Sequence, residues 1–219
     1  MAITTKLPLV INCEQGSPEW LAARAGRVTA SHICDVINFK KNGEESTSRR
    51  DYRIKMVTEM LTGTPCEDVY PNADMRRGTE LEPYARIAYE DLSGMHVQQV
   101  GLFVHASIPQ AAASPDGLVG ADGLIEIKCP RSYNHINNIL ADGIIDSDYQ
   151  LQMLWQMECT QRRWCDFVSY DPLMPEALRL FVVRFNRDEE ALAGIREKVV
   201  KFIEEANNLK EILLRKGSA

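Results

Sequence analysis

No stretch of the 219-residue chain approaches the ~18 consecutive apolar residues that a membrane-spanning helix needs. The opening segment MAITTKLPLVINCEQ has one short apolar run and no small-residue cleavage site behind it, which argues against a secretory signal. Cys13, Cys34, Cys66, Cys129, Cys159 and Cys165 include no C-x-x-C pair, and none stands at zinc-ligand spacing from a histidine. They read as reduced thiols, most of them core packing, and they argue against a zinc or iron–sulfur centre. There is no internal repeat and no Pro/Ser/Gly-rich linker. Basic residues are not in excess: 25 Lys and Arg stand against 31 Asp and Glu, a net charge of −6, and the acidic surplus is concentrated in residues 61–185. A general polyanion binder is excluded, so any nucleic-acid contact must be local and shaped. These absences predict a cytoplasmic soluble chain with one domain over residues 1–219 and no membrane partner.

At 45% hydrophobic residues, the chain has ample apolar surface to fold around a core. Ser17-Pro18-Glu19 is a helix start, a capping hydroxyl followed by proline at the first helical position. A break near Gly26 and a second helix over 29–37 follow. The polar stretch 40–51 reads as a loop. Thr79-x-x-Glu82 fits a capping box, with a helix opening at Gly78-Thr79 and stopped by Gly94. Residues 95–105 read as a strand. Gly117–Val119 and Leu124–Cys129 flank Asp122-Gly123, a hairpin signal. Residues 149–160 read as a helix, and 164–171 and 178–185 as strands. A capping box at Asn186-x-x-Glu189 opens a long helix over about 187–215, with an apolar stripe through Leu192, Ile195, Val199, Phe202, Ala206, Leu209 and Leu213. The order predicts an α/β or α+β chain, with a central mixed sheet flanked by helices.

The chemistry concentrates in Ser114-Pro115-Asp116-Gly117 and Glu126-Ile127-Lys128. Side chains alternate along a strand, so Glu126 and Lys128 share one face while Ile125 and Ile127 face the core. Hairpin pairing brings Asp116 beside Glu126. Two close carboxylates repel, and a divalent cation relieves that repulsion. Mg²⁺ takes one or two carboxylates and leaves other positions for water and phosphate oxygens. The Ile127 carbonyl is a candidate backbone ligand, and Lys128 can orient or help deprotonate an attacking water. Gln152 and Gln156 share a helix face, which on its own reads as a polar solvent stripe.

The Asp116, Glu126, Lys128 pattern resembles the PD-(D/E)xK nuclease signature. More narrowly, residues 15–185 resemble the phage lambda exonuclease, or YqaJ-type viral recombinase, family. The marks are Trp20-x-x-x-Arg24-x-Gly26-x-x-Thr29-Ala30-Ser31, Gly78-x-x-x-Glu82, Ser114-Pro115-Asp116-Gly117, Glu126-Ile127-Lys128-Cys129-Pro130, the Tyr149-Gln150-x-Gln152 helix and Tyr170-Asp171-Pro172. The resemblance implies a restriction-endonuclease-like core. It implies Asp116, Glu126 and Lys128 as catalytic, with Glu82, Asp116, Glu126 and Ile127 holding Mg²⁺, or Mn²⁺ in its place. Arg24, Ser31 and Ser114 match positions that hold a 5′-terminal phosphate, and Gln152 lies near the active centre. The implied activity is 5′-to-3′ digestion of double-stranded DNA to 5′-mononucleotides, leaving 3′ single strands for annealing recombination. The implied partners are DNA ends, two further copies in a homotrimeric ring and a single-strand annealing protein, in a bacterial or phage-infected host. Arg49, Arg50, Arg53, Lys55, Arg76 and Arg77 are candidates for a basic channel wall. The competing readings are an endonuclease or junction resolvase with the same metal site, and a non-catalytic DNA-end binding module.

Overall fold

The computed structural model describes residues 7–66 and 72–217. The elements run in chain order as β1 (Leu9–Ile11), α1 (Pro18–Arg24), β2 (Val28–Thr29), α2 (Ile33–Ile37), α3 (Thr47–Thr62), α4 (Ala73–Ser93), β3 (Val97–Gln98), β4 (Leu102–Val104), β5 (Ala111–Ala113), β6 (Gly117–Val119), β7 (Gly123–Lys128), α5 (Ser132–Leu140), α6 (Ser147–Thr160), β8 (Trp164–Tyr170), β9 (Leu180–Asn186) and α7 (Glu189–Gly217). The strands form two mixed sheets: the expected central one, five-stranded and flanked by helices, and a second of four strands. One has the order β1-β4-β5-β2, the other β3-β6-β7-β8-β9. The 95–105 stretch, expected as one strand, divides between them. Val97–Gln98 pairs with β6, and Leu102–Val104 pairs with β1 and β5. Gly101 lies at the crossing, where a Cβ would sit 2.3 Å from the Ile11 carbonyl oxygen, so only glycine fits.

The five-stranded sheet carries the hairpin. β6 and β7 are antiparallel with Gly117 opposite Ile125, and β7 runs parallel to β8. One face packs on α4 through Ala85, Tyr89, Ile125, Ile127 and Val168. On the other face, Leu124 and Phe167 join the main core with Met153, Leu154, Trp155 and Met157 of α6 and the α7 stripe.

Several helix boundaries depart from the sequence reading. α4 begins at Ala73, because Asn72 accepts the Met75 amide at 2.8 Å and caps the helix there. Gly78 therefore lies inside the helix and Thr79–Glu82 is no capping box. The Thr79 hydroxyl donates to the Met75 carbonyl. The cost of an interior glycine, about 1 kcal/mol, is outweighed by burying Ala85 and Tyr89 of the same helix. Residues 29–37 are not one helix. Thr29 is extended beside β5, Ala30–His32 is a 3₁₀ turn and α2 follows. The polar loop ends early, since Ser46 accepts the Arg49 amide and starts α3. α7 is capped by Asp188 rather than Asn186, which still belongs to β9. Its stripe is buried from Leu192 to Ala206, but Leu213 is exposed. Cys129, Cys159 and Cys165 are buried, Cys34 is partly buried against the main core, Cys13 is partly buried and Cys66 exposed, so four of the six cysteines pack in or against the core. No described helix is long and apolar enough to cross a membrane.

Candidate active site

The β6–β7 register sets the centre of the site. With Gly117 opposite Ile125, the next position back is Asp116 beside Glu126. Asp116 Oδ2 accepts the Ile127 amide at 2.6 Å. Glu126 and Lys128 project together, as period-two alternation requires, with Lys128 Nζ 2.5 Å from Glu126 Oε1. This is no wet sheet face, because Glu126 is 1% exposed. α6 lies over it. Gln152 Nε2 donates to Glu126 Oε1 at 2.7 Å and Gln156 Nε2 to Glu126 Oε2 at 2.6 Å. The Lys128 ammonium also sits over the Tyr149 ring, 4.9 Å from its centroid.

Burial, reinforced by the charges of Glu126 and Glu82, pushes the Asp116 carboxyl well above the usual carboxylate range. Burial alone would lower the Lys128 ammonium, but Glu126 and Asp116 outweigh it and hold it above its ordinary value. Glu82 is raised by burial and further by Glu126, while Arg86 opposes the shift. Glu82 therefore shares the field of the cluster, although its carboxylate is turned into an ion pair with Arg86 one turn along α4. Among the described residues no three Asp, Glu, His or Cys side chains are grouped so as to hold a metal ion between them. The donor set fits Mg²⁺ or Mn²⁺ all the same: two adjacent hard carboxylates, repelling each other, suit a cation that keeps its other positions for water and phosphate.

A second cluster stands next to the first, two residues upstream of Asp116. Ser114 Oγ accepts the Trp20 indole N–H at 2.8 Å, and the Arg24 guanidinium lies 4.0 Å over the Trp20 ring. Arg24 Nη2 donates to Ser31 Oγ at 3.2 Å. Arg24, Ser31 and Ser114, taken from three separate segments, are thus gathered around Trp20. An arginine fork with adjacent hydroxyls is a phosphate-binding set.

The basic-wall candidates fare less well. Arg49 is buried and pairs with Glu45 and Glu205, and Arg53 pairs with the same two carboxylates. Both bind α3 to its neighbours and are not available to line a channel. Arg50 pairs with Asp51. Arg77 Nη2 donates to Asp171 Oδ1 at 2.8 Å, and its Nε reaches the Cys129 and Pro130 carbonyls at 3.3 Å. It braces the chain where β7 leaves Lys128, and Ser132 adds a 2.6 Å hydrogen bond to the same Asp171. Gln156 is the residue whose part the sequence reading missed. Its spacing of four from Gln152 places both amides on one face, but that face is turned to Glu126 rather than to solvent.

Residues 19–163 match the model of the YqaJ-like viral recombinase domain. The alkaline exonuclease LHK-Exo from Laribacter hongkongensis is 44% identical, covering 92% of this chain and 98% of that one, with a TM-score of 0.84. The same enzyme in complex with dAMP superposes with a TM-score of 0.85. A phage-related exonuclease from Haemophilus somnus 129PT shares the fold at 17% identity, over 87% of this chain and 96% of that one, with a TM-score of 0.65. The uncharacterized protein R354 of Acanthamoeba polyphaga mimivirus is 29% identical over 172 residues, 71% of this chain. The chain spans 29% of the length of that curated relative. The fold is that of the alkaline exonucleases, and the chain belongs to the family of YqaJ-like viral recombinase domains.

Proposed function

We propose that the protein is a Mg²⁺-dependent exonuclease that degrades double-stranded DNA from a 5′-phosphorylated end, one strand at a time, releasing 5′-mononucleotides and leaving a 3′ single strand for annealing. The observation that carries this reading is the adjacency of two sites: Arg24, Ser31 and Ser114 on one side of Pro115, and Asp116, Glu126 and Lys128 on the other. The first set suits a terminal phosphate, the second the phosphodiester one nucleotide along. The identity to an alkaline exonuclease and the family membership support the same reaction class.

Asp116 and Glu126 would hold the cation, with the Ile127 carbonyl and Glu82 as further donors. When bound, the ion supplies positive charge at the phosphoryl group and acidifies water. Lys128 offers three N–H donors to orient the attacking water and offset negative charge on the phosphoryl oxygens. Water forms the new P–O bond, the P–O3′ bond breaks, and the 3′ oxygen leaves with a proton. The remaining strand carries a new 5′-phosphate, so each cut regenerates the group that Arg24, Ser31 and Ser114 hold. Gln152 reaches Glu126 Oε1 from α6 and lies beside the place of the cation. In the same reading the active form is a homotrimeric ring that encloses the duplex and works beside a single-strand annealing protein. Family resemblance supports both.

Glu126→Gln or Lys128→Ala should abolish digestion of linear duplex while circular dichroism shows the fold retained. Covalently closed circular duplex should remain intact. Cleavage of the closed circle would make the protein an endonuclease, and parental rates in either variant would remove the site assignment.

A further inference from the structure

Glu126 is held by three donors that differ in kind. Its Oε1 is shared by Lys128 Nζ at 2.5 Å and Gln152 Nε2 at 2.7 Å, both part-buried contacts. Its Oε2 takes a single bond, from Gln156 Nε2 at 2.6 Å, inside the core. Gln156 is 0% exposed, and its own Oε1 is buried with no hydrogen-bond partner among the described residues. A buried amide oxygen left unpaired costs about 1–3 kcal/mol. Methionine, of nearly the same length, would avoid that cost. Among the described residues the one polar contact of the Gln156 side-chain amide is the bond to Glu126, so packing does not account for a glutamine here.

We infer that Gln156 is a positioning residue for the metal centre, fixing the Glu126 carboxylate by Oε2 so that Oε1 is the oxygen presented to the cation. This rests on the function proposed above and adds to it a division of labour between two glutamines on one helix face. A ligating carboxylate that is free to rotate offers either oxygen and loses affinity. One pinned from behind keeps its ligand oxygen aimed, and removing such a support weakens metal binding or activity by roughly 10–100-fold. Gln152 and Lys128 share the oxygen that must turn to the cation, so they can yield to it. Gln156, on the far oxygen, has no such competition.

The test is Mn²⁺ binding to the DNA-free protein by titration calorimetry, alongside digestion kinetics on 5′-phosphorylated linear duplex. Gln156→Met should fold and should bind Mn²⁺ about 10–100-fold more weakly than the parent. Its kcat should fall while KM for DNA ends holds. Gln156→Leu, which removes the donor without adding a charge, should weaken Mn²⁺ binding as much, and it serves as the reporter if the methionine variant does not fold. Parental Mn²⁺ affinity in a folded Gln156 variant would overturn the inference and leave the proposed function standing. A parental protein that binds no Mn²⁺ and releases no nucleotides would overturn both.

Discussion

At Asp116 the protein keeps a half-buried carboxyl beside two others, an arrangement that costs folding free energy when no cation is present. Its raised value means that the folded chain resists ionising it, so above the ordinary carboxylate range Asp116 destabilises the metal-free fold. Asp116→Asn should therefore raise the melting temperature of the metal-free protein while abolishing digestion. About 1 kcal/mol of relief corresponds to about 2–4 °C in a chain of this size. Mg²⁺ should raise the parental Tm and leave that of the variant unmoved. An unchanged or lower metal-free Tm in scanning calorimetry would show that the crowding carries no energetic penalty. Arg24→Ala should slow digestion of 5′-phosphorylated ends and leave 5′-hydroxyl ends nearly unaffected. Equal losses on both substrates would deny Arg24 its phosphate. Asp116, Glu126 and Lys128 were legible because strand alternation and one hairpin turn bring them together locally. Gln156 was not, because a glutamine pair at helical spacing looks the same whether it faces water or a buried carboxylate.

The elements show where local signals suffice and where packing overrides them. α1 with its Ser17 cap and the Gly94 stop of α4 follow from short-range chemistry and were readable, and so was the β6–β7 hairpin, although its turn falls at residues 120–122 and Gly123, expected in the turn, already pairs with Val119 in β7. The start of α4 was not. Gly78-Thr79 reads as a helix start, yet Asn72 caps the helix upstream and tertiary burial carries it through Gly78. In α7 the buried stripe ends near Ala206 and the last turns lie open. Phe202→Ala should cost about 3–5 kcal/mol in urea unfolding, whereas Leu213→Ala should change little. Equal effects would mean that the C-terminal turns are packed as well. Glu158 joins α6 to the start of α7. Burial would raise its carboxyl, but hydrogen bonds from His105, Arg196 and Arg187 outweigh this and hold it far below the ordinary range. A depressed folded value gives stability that is present above the unfolded value, about 4.5, and is lost as pH falls. Glu158→Gln should therefore be less stable than the parent at pH 7, with the gap in Tm narrowing towards pH 3. A gap independent of pH would remove the charge from the explanation.

At the scale of the whole molecule, two sheets meet at Gly101 and bring the second cluster beside the first. β1 pairs with β4, far along the chain, and no local pattern announces such a pairing. For that reason the second, four-stranded sheet was not foreseen beside the central mixed sheet that the sequence implied. The consequence is functional. Trp20 and Arg24 arrive from the N-terminal helix, Ser114 from the end of β5, and Asp116 and Glu126 from the hairpin, which puts the two clusters of the proposed function side by side. The most direct measurement of this account is digestion of linear duplex labelled at its 5′ or 3′ end, with and without Mg²⁺. With Mg²⁺, the 5′ label should leave first as a mononucleotide while the 3′ label stays on a long single strand, and without Mg²⁺ neither should leave. Early release of the 3′ label, internal fragments from either label, or digestion without a divalent ion would contradict it.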